Sequence, residues 1–230
     1  MNNKTETLVE QSVKLVAITE GANELVGKSA QDIISYVARV SNPNNQMSFE
    51  TGSKLIKYCI THEHWSIFEH SFITMEIKTS RGIAAQILRH RSFTFQEFSQ
   101  RYATASKNVL YPARRQDNKN RQNSIDDMSE TDRDWFKAAQ ESHWEAGKSL
   151  YDEAITRGIA KEQARFLLPL STETTLYMSG SVRSWIHYIE LRGGHGTQKE
   201  HMDIALSARS IISERFPDIA TALGWVGEAQ

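Results

Sequence analysis

Apolar positions along the 230-residue chain change period several times, and each change predicts an element. Residues 12–18 (SVKLVAI) read as a short strand ended by Glu20-Gly21. Residues 29–40 read as a helix, with Ile33, Ile34, Val37 and Val40 at helical spacing, and the chain breaks at Ser41-Asn42-Pro43-Asn44-Asn45. A second helix is predicted over 48–61, with Leu55, Ile56, Cys59 and Ile60 on its apolar side. Residues 71–78 alternate, Ile73, Met75 and Ile77 against Phe72, Thr74, Glu76 and Lys78, as a half-buried strand does. Helical spacing returns over 82–91 (GIAAQILRHR), which puts Gln86, Arg89 and His90 at i, i+3 and i+4 on one face. Residues 113–134 hold only Ala113, Ile125 and Met128 as clearly apolar side chains and read as a long polar loop.

Beyond it, a helix is predicted over 131–157, its period kept by Trp135, Ala139, Ala146, Leu150 and Ala154, with Gly158 as C-terminal cap. A short helix at 161–168 stops before Pro169, and 170–178 read as a strand. Helices at 181–191 and 199–215 are separated by Gly193-Gly194 and stopped by Pro217. With no internal repeat and no linker, the expectation is one α+β domain over 1–230, mostly helical, with a small mixed or antiparallel sheet.

Composition narrows the class. The chain is 39% hydrophobic and 24% charged with a formal net charge of −1, as in an ordinary globular protein. That argues against wholesale disorder and against a polybasic nucleic-acid coat. A single cysteine, Cys59, excludes an intrachain disulfide framework. No apolar run approaches the ~18 residues of a membrane span. The first residues carry Glu6 and Glu10 and no apolar core of a signal peptide, so a cytoplasmic protein is expected.

Two stretches carry candidate chemistry: His62-Glu63-His64-Trp65-Ser66-Ile67-Phe68-Glu69-His70, and the run from Arg89-His90-Arg91 to Arg101-Tyr102. The second gathers three arginines within fourteen residues. Guanidiniums are costly to hold together unless something anionic neutralises them, and arginine favours planar bidentate contact with phosphate. A phosphorylated ligand is one reading; a basic patch paired with nearby acids is another. Phe93, Phe95 and Phe98 fit either stacking on single-stranded nucleic acid or a strand with an apolar face. His62, His64, His70 and His90 with Glu69 are plausible zinc ligands by type, but spacing does not establish that they converge. Arg114, Arg115, Lys119 and Arg121 of the polar loop are further candidates for an anionic ligand.

Arg89-His90-Arg91, seven residues, then Ser99 resembles the signature of the flavin-dependent thymidylate synthases. Gln86 three residues before it, His62-x-His64 with Phe68-Glu69-His70 upstream, Ala164-Arg165-x-x-Leu168-Pro169-Leu170, and Ser184 with Leu191-Arg192 are similar to further blocks of that family. The resemblance runs from about Ala38 to about Glu200. Thr94 and Gln96 stand where the family often has Ser and Asn, and keep the hydroxyl and the amide. His187 replaces an Asn that commonly helps hold the flavin.

The resemblance implies methylation of dUMP to dTMP, with methylenetetrahydrofolate as carbon donor and FAD, reduced by NADPH, as hydride source. It implies that Ser66, Arg89, His90, Arg91, Glu97, Ser181, Arg183 and His187 contact FAD. It implies that Gln86, Arg89, Glu97, Ser99, Gln100, Arg101, Arg165 and Arg192 contact the nucleotide, with Arg192 as the activating cation. No metal is expected. The family's sites form between subunits of a homotetramer, so Ser41 and residues 62–70 are expected to serve a neighbour's flavin. Neither nucleic acid nor membrane is an expected partner.

Overall fold

Alternation of apolar and polar residues builds the centre of the molecule. The computed structural model describes residues 11–226. In chain order the elements are β1 (Ser12–Ile18), α1 (Ala30–Ala38), α2 (Gly52–Thr61), β2 (Phe72–Ser80), α3 (Arg81–Ile87) and β3 (Thr94–Glu97). They continue with β4 (Arg115–Gln116), β5 (Ser124–Ile125), α4 (Glu130–Thr156), α5 (Lys161–Ala164), β6 (Glu173–Ser181), α6 (Val182–Arg192), α7 (Lys199–Arg215) and α8 (Pro217–Ala222). The main sheet has the order β1-β2-β6-β3, and every neighbouring pair in it is antiparallel.

β2 and β6 pair along their whole lengths, from Phe72↔Ser181 to Ser80↔Glu173. Ile73, Met75 and Ile77 of β2, with Leu176 and Met178 of β6, are fully or almost fully buried on one face. Helices cover that face through Ile83, Ile87, Trp185, Ile189, Ile204, Ala208 and Ile212. The opposite face leaves Val16, Phe72 and Tyr177 exposed. The expected α+β class with a small antiparallel sheet is therefore what the chain forms.

Both long strands turn into helices without a loop. Ser80 ends β2, and its hydroxyl caps α3 by accepting from the Ile83 N–H. Ser181 ends β6 and caps α6 by accepting from the Ser184 N–H at 3.2 Å. Serine can close a strand and satisfy an orphan helix donor at once. β3 returns to pair with β6 from Thr94↔Ser179 to Glu97↔Leu176. Gly180 permits this return: a Cβ there would lie 2.5 Å from the Phe93 ring.

Several boundaries differ from those the sequence predicts. α2 begins at Gly52 rather than 48, because residues 49–52 form a turn closed by Gly52 N–H donating to Phe49 C=O. α3 stops at Ile87 rather than 91, so Arg89 and His90 lie in a turn and not on a helical face with Gln86. Their N–H groups bond three residues back, to Gln86 and Ile87, as the chain swings toward β3. β6 starts three residues later than predicted, since both the N–H and the hydroxyl of Thr172 bond the Pro169 carbonyl in a turn. α8 was not predicted; Pro217 ends α7 and opens α8 at its first position.

The polar segment 113–134 is not wholly a loop. It holds the β4–β5 hairpin, and α4 already begins at Glu130, capped by Ser129 with Asp132. α4 buries a stripe that shares only Ala154 with the predicted one. Trp144, Gly147, Tyr151 and Ala154 face inward, whereas Trp135 and Leu150 are 69% and 52% exposed. Both stripes keep helical period; contact with Ala164 and Leu168 selects the first.

Gly147 marks that contact, for a Cβ there would sit 2.7 Å from the Leu167 carbonyl oxygen. Helix propensity alone would make Gly147→Ala stabilising by about 1 kcal/mol. We expect the reverse, destabilisation of about 1–3 kcal/mol from overpacking against backbone, read as a lower thermal midpoint.

Candidate active site

The two serine-capped junctions deliver most of the candidate residues. α3 carries Arg81 at its start and Gln86 near its end. Arg81 Nη1 donates to Glu97 Oε1 at 2.7 Å, and Thr174 Oγ1 donates to the same oxygen at 2.9 Å. Glu97 is thus held with Oε2 free of protein donors among the described residues. Arg81 escaped the sequence reading, although a cation in the first turn of a helix opposes the dipole and needs another partner.

At the other end of α3, Gln86 Nε2 donates to Gln198 Oε1 at 2.6 Å, and Gln198 Nε2 donates to Glu200 at 2.9 Å. Glu200 in turn faces Arg114 at 3.6 Å. The turn after α3 places His90 against the last turn of α6, where Arg192 Nε donates to His90 Nε2 at 3.0 Å. Tyr188 packs edge-on to the His90 ring at 4.9 Å, and its hydroxyl is 3.1 Å from His201 Nε2. Burial, then the Arg192 charge, then His187 push the His90 pKa down to about 4. Burial, then Arg192, then His90 push His201 down to about 4. Burial raises the Tyr188 phenol against the opposing pull of Arg192.

Arg89 and Arg91 flank this turn as exposed cations, without an ion-pair partner among the described residues. They do not behave as a basic patch paired with acids. Arg101 does, with Nε 3.0 Å from Glu162 Oε2. Arg165 donates from Nε to the Glu162 carbonyl at 3.2 Å, so Arg101 and Arg165 gather around one residue. Ser99 starts the turn that carries Arg101; its carbonyl accepts from the Tyr102 and Ala103 N–H groups at 3.1 Å. The Gln100 side chain is 6% exposed, and its Nε2 has no partner in the protein.

A cleft of about 880 Å³ opens beside α6. Ser181, Arg183, Ser184 and His187 form its polar rim with Ser92 and Glu69, while Trp65, Ile60, Phe72, Ile186 and Leu223 form an apolar wall. Arg183 and Glu69 pair across it. Glu63 reverses the chain after α2 with a φ of 58°, a conformation side chains rarely adopt, and so delivers the Trp65–Glu69 turn to the cleft. Ser66 is exposed on that turn and is not among the lining residues.

The site residues fall into three groups. Ser181, Arg183 and His187 line the cleft; Gln86 is tied to Gln198 and Arg192 to His90 on either side of the α3–β3 turn; Arg101 and Arg165 meet at Glu162. Among the described residues no hydrogen bond or ion pair joins the second group to the third. His62 stacks on Tyr58 and His64 meets it edge-on while His90 packs on Tyr188, and no three His, Cys, Asp or Glu groups converge as metal ligands among the described residues. Tyr188 and His201 were missed because their spacing is that of ordinary helix positions, and Gln198 because it stands just before α7 outside any motif.

Comparison with known proteins bears on this arrangement. A family model described as Thy1, thymidylate synthase complementing protein, matches residues 14–218. The chain is 56% identical over 216 residues to the "Probable flavin-dependent thymidylate synthase" of Paramecium bursaria Chlorella virus 1, covering 94% of this chain and 100% of that one. It is 53% identical over 215 residues to the "Flavin-dependent thymidylate synthase" of Synechocystis sp., covering 93% and 99%. The fold matches the crystal structure of the UMP/dUMP methylase PolB from Streptomyces cacaoi bound with 5-Br dUMP, with a TM-score of 0.81 at 21% identity over 96% of this chain and 97% of that one.

The half-buried His90 and the buried His201 set a pH dependence. An unfolded histidine titrates near 6.5, whereas His90 and His201 bind protons in the fold only near 4. Between these values the unfolded chain holds more protons, so stability is full above about 6.5 and falls as pH drops toward 4. Thermal midpoints measured across that window should fall, and His201→Phe should flatten the dependence relative to the unaltered protein.

Proposed function

The chain belongs to the flavin-dependent thymidylate synthase family, and from that membership we propose how its residues work. The protein methylates dUMP to dTMP. In this reading methylenetetrahydrofolate donates the carbon, FAD reduced by NADPH is the hydride source, and tetrahydrofolate leaves. The observation that carries the reading is the meeting of the α3 end and the Arg89–Arg91 turn with Arg192 and Gln198.

The cleft suits a flavin. Its apolar wall around Trp65 fits a flat ring, and the rim of Ser181, Arg183 and His187 offers donors to polar edges. Arg89 and Arg91, free of acids among the described residues, suit a pyrophosphate. Ser66 adds a hydroxyl on the neighbouring turn. A bound flavin supplies the hydride, which no side chain can. Cys59 is 5% exposed, and burial raises its pKa, so it is poorly suited to act as a thiolate nucleophile.

The protein then binds, orients and polarises the nucleotide. Gln86 presents a donor and an acceptor to the uracil edge. Glu97, held by Arg81 and Thr174, keeps Oε2 to accept from a sugar hydroxyl or to meet the flavin edge. The Ser99-Gln100-Arg101 turn and Arg165 offer a hydroxyl, backbone N–H groups and guanidiniums to the phosphate. Arg192 stabilises negative charge developing on the pyrimidine, which makes carbon 5 the better nucleophile.

We place the working site between subunits of a homotetramer. No hydrogen bond or ion pair joins Arg192 to Arg101 or Arg165 among the described residues, and Phe166 and Leu170 are 75% and 77% exposed. A cytoplasmic setting accords with a buried free thiol at Cys59.

The purified protein should show a flavin absorbance band that bleaches with NADPH, and should form dTMP from dUMP and methylenetetrahydrofolate. A colourless protein that refuses added FAD and leaves dUMP unchanged would end this reading. Arg192→Ala should lower kcat by about 10²–10³ while flavin content and circular dichroism stay unchanged. Turnover at the unaltered rate would remove Arg192 from the chemistry.

A further inference from the structure

An arginine fixed by a carboxylate loses part of its field to that carboxylate. Arg192 is fixed differently. The one hydrogen bond of its side chain among the described residues is from Nε to His90 Nε2, and Nη1 and Nη2 have no protein partner there. No ion pair involves it among the described residues. His90 accepts through Nε2, so its proton sits on Nδ1 and the ring is neutral. Behind the ring stands Tyr188, fully buried and edge-on at 4.9 Å. His201, also fully buried, lies 6.1 Å from His90 and bonds Tyr188.

The groups facing His90 are Arg192, His187 and Tyr188 from α6 and His201 from α7, and among the described residues no carboxylate is a hydrogen-bond partner or ring neighbour of it. Resting on the reading of Arg192 above, we propose that His90 is a positioning residue: a neutral acceptor that aims the Arg192 guanidinium while leaving its full charge and both terminal nitrogens for the pyrimidine. Tyr188 and His201 form the rigid plate that keeps the imidazole upright. This role differs from a contact to the flavin, which is all that the Arg-His-Arg motif suggests for His90.

A double-mutant cycle on the full-length flavin-loaded protein tests it, with kcat, the KM for dUMP and bound flavin measured for each variant. His90→Leu removes the acceptor and should lower kcat per bound flavin by about 10- to 100-fold, the worth of a hydrogen bond to a charged group, with little change in KM. His90→Gln carries an amide oxygen about as far as Nε2 and should recover most of that loss. His90→Asn, whose amide reaches only as far as Nδ1, repeats the test should the leucine variant not fold. In an Arg192→Lys background, which lacks the Nε–H, adding His90→Leu should cost no more than about twofold.

If His90→Leu loses flavin but keeps kcat per bound flavin, His90 is a cofactor contact and the proposal fails. It also fails if the loss persists undiminished beside Arg192→Lys. Arg192→Ala, run alongside, separates the two levels: wild-type turnover there would overturn the role of Arg192 itself, and this proposal with it.

Discussion

The full-length antiparallel register between β2 and β6 is the constraint on which the rest depends. Phe72 sits opposite Ser181 and Ser80 opposite Glu173, so each strand starts where the other ends. Both strands convert to helix at a serine cap, without slack. α3 and α6 therefore leave from opposite ends of one ribbon. The turn after α3 must then reach Thr94, which pairs with Ser179 near the Ser181 end. That geometry brings His90 to Arg192, although 102 positions separate them in the chain.

Electrostatics follows from this framework. The cations of the candidate site divide by partner. Arg81, Arg101 and Arg183 face carboxylates and orient them or are oriented by them. Arg89, Arg91 and Arg192 keep their charge unneutralised by protein acids among the described residues. Unpaired guanidiniums are destabilising unless something anionic arrives, or unless charge develops beside them during a reaction. Their clustering on the α3–β3 turn and at the end of α6 separates a working surface from ordinary surface pairing.

Burial does a second job in the same place. Trp185, Tyr188 and His201 are fully buried, and the hydrophobic core runs directly under the His90 turn. A neutral imidazole next to a guanidinium needs such a setting, because water would otherwise compete for both partners. The core and the site are one packing problem here: Gly180 admits Phe93, Phe93 packs on Trp185 and Tyr188, and Tyr188 supports His90.

Taken alone, the sequence determined the kinds of element, their order and the residues bearing chemistry. Alternation over Ile73, Met75 and Ile77 forces a one-sided strand, and the Arg-His-Arg to Ser99 spacing with three further blocks identifies the family. Local periodicity carries no information on which of two apolar stripes finds a partner, so α4 was rotated toward Trp135 and Leu150. Nor does it show where a helix must end for the chain to reach a distant strand, so Arg89 and His90 were placed on a helix they do not join. Tertiary structure alone decided that Glu97 is held by Arg81, Gln86 by Gln198 and Arg192 by His90. Those are contacts between residues far apart in the chain, set by strand register and packing, and no window along the sequence contains both partners.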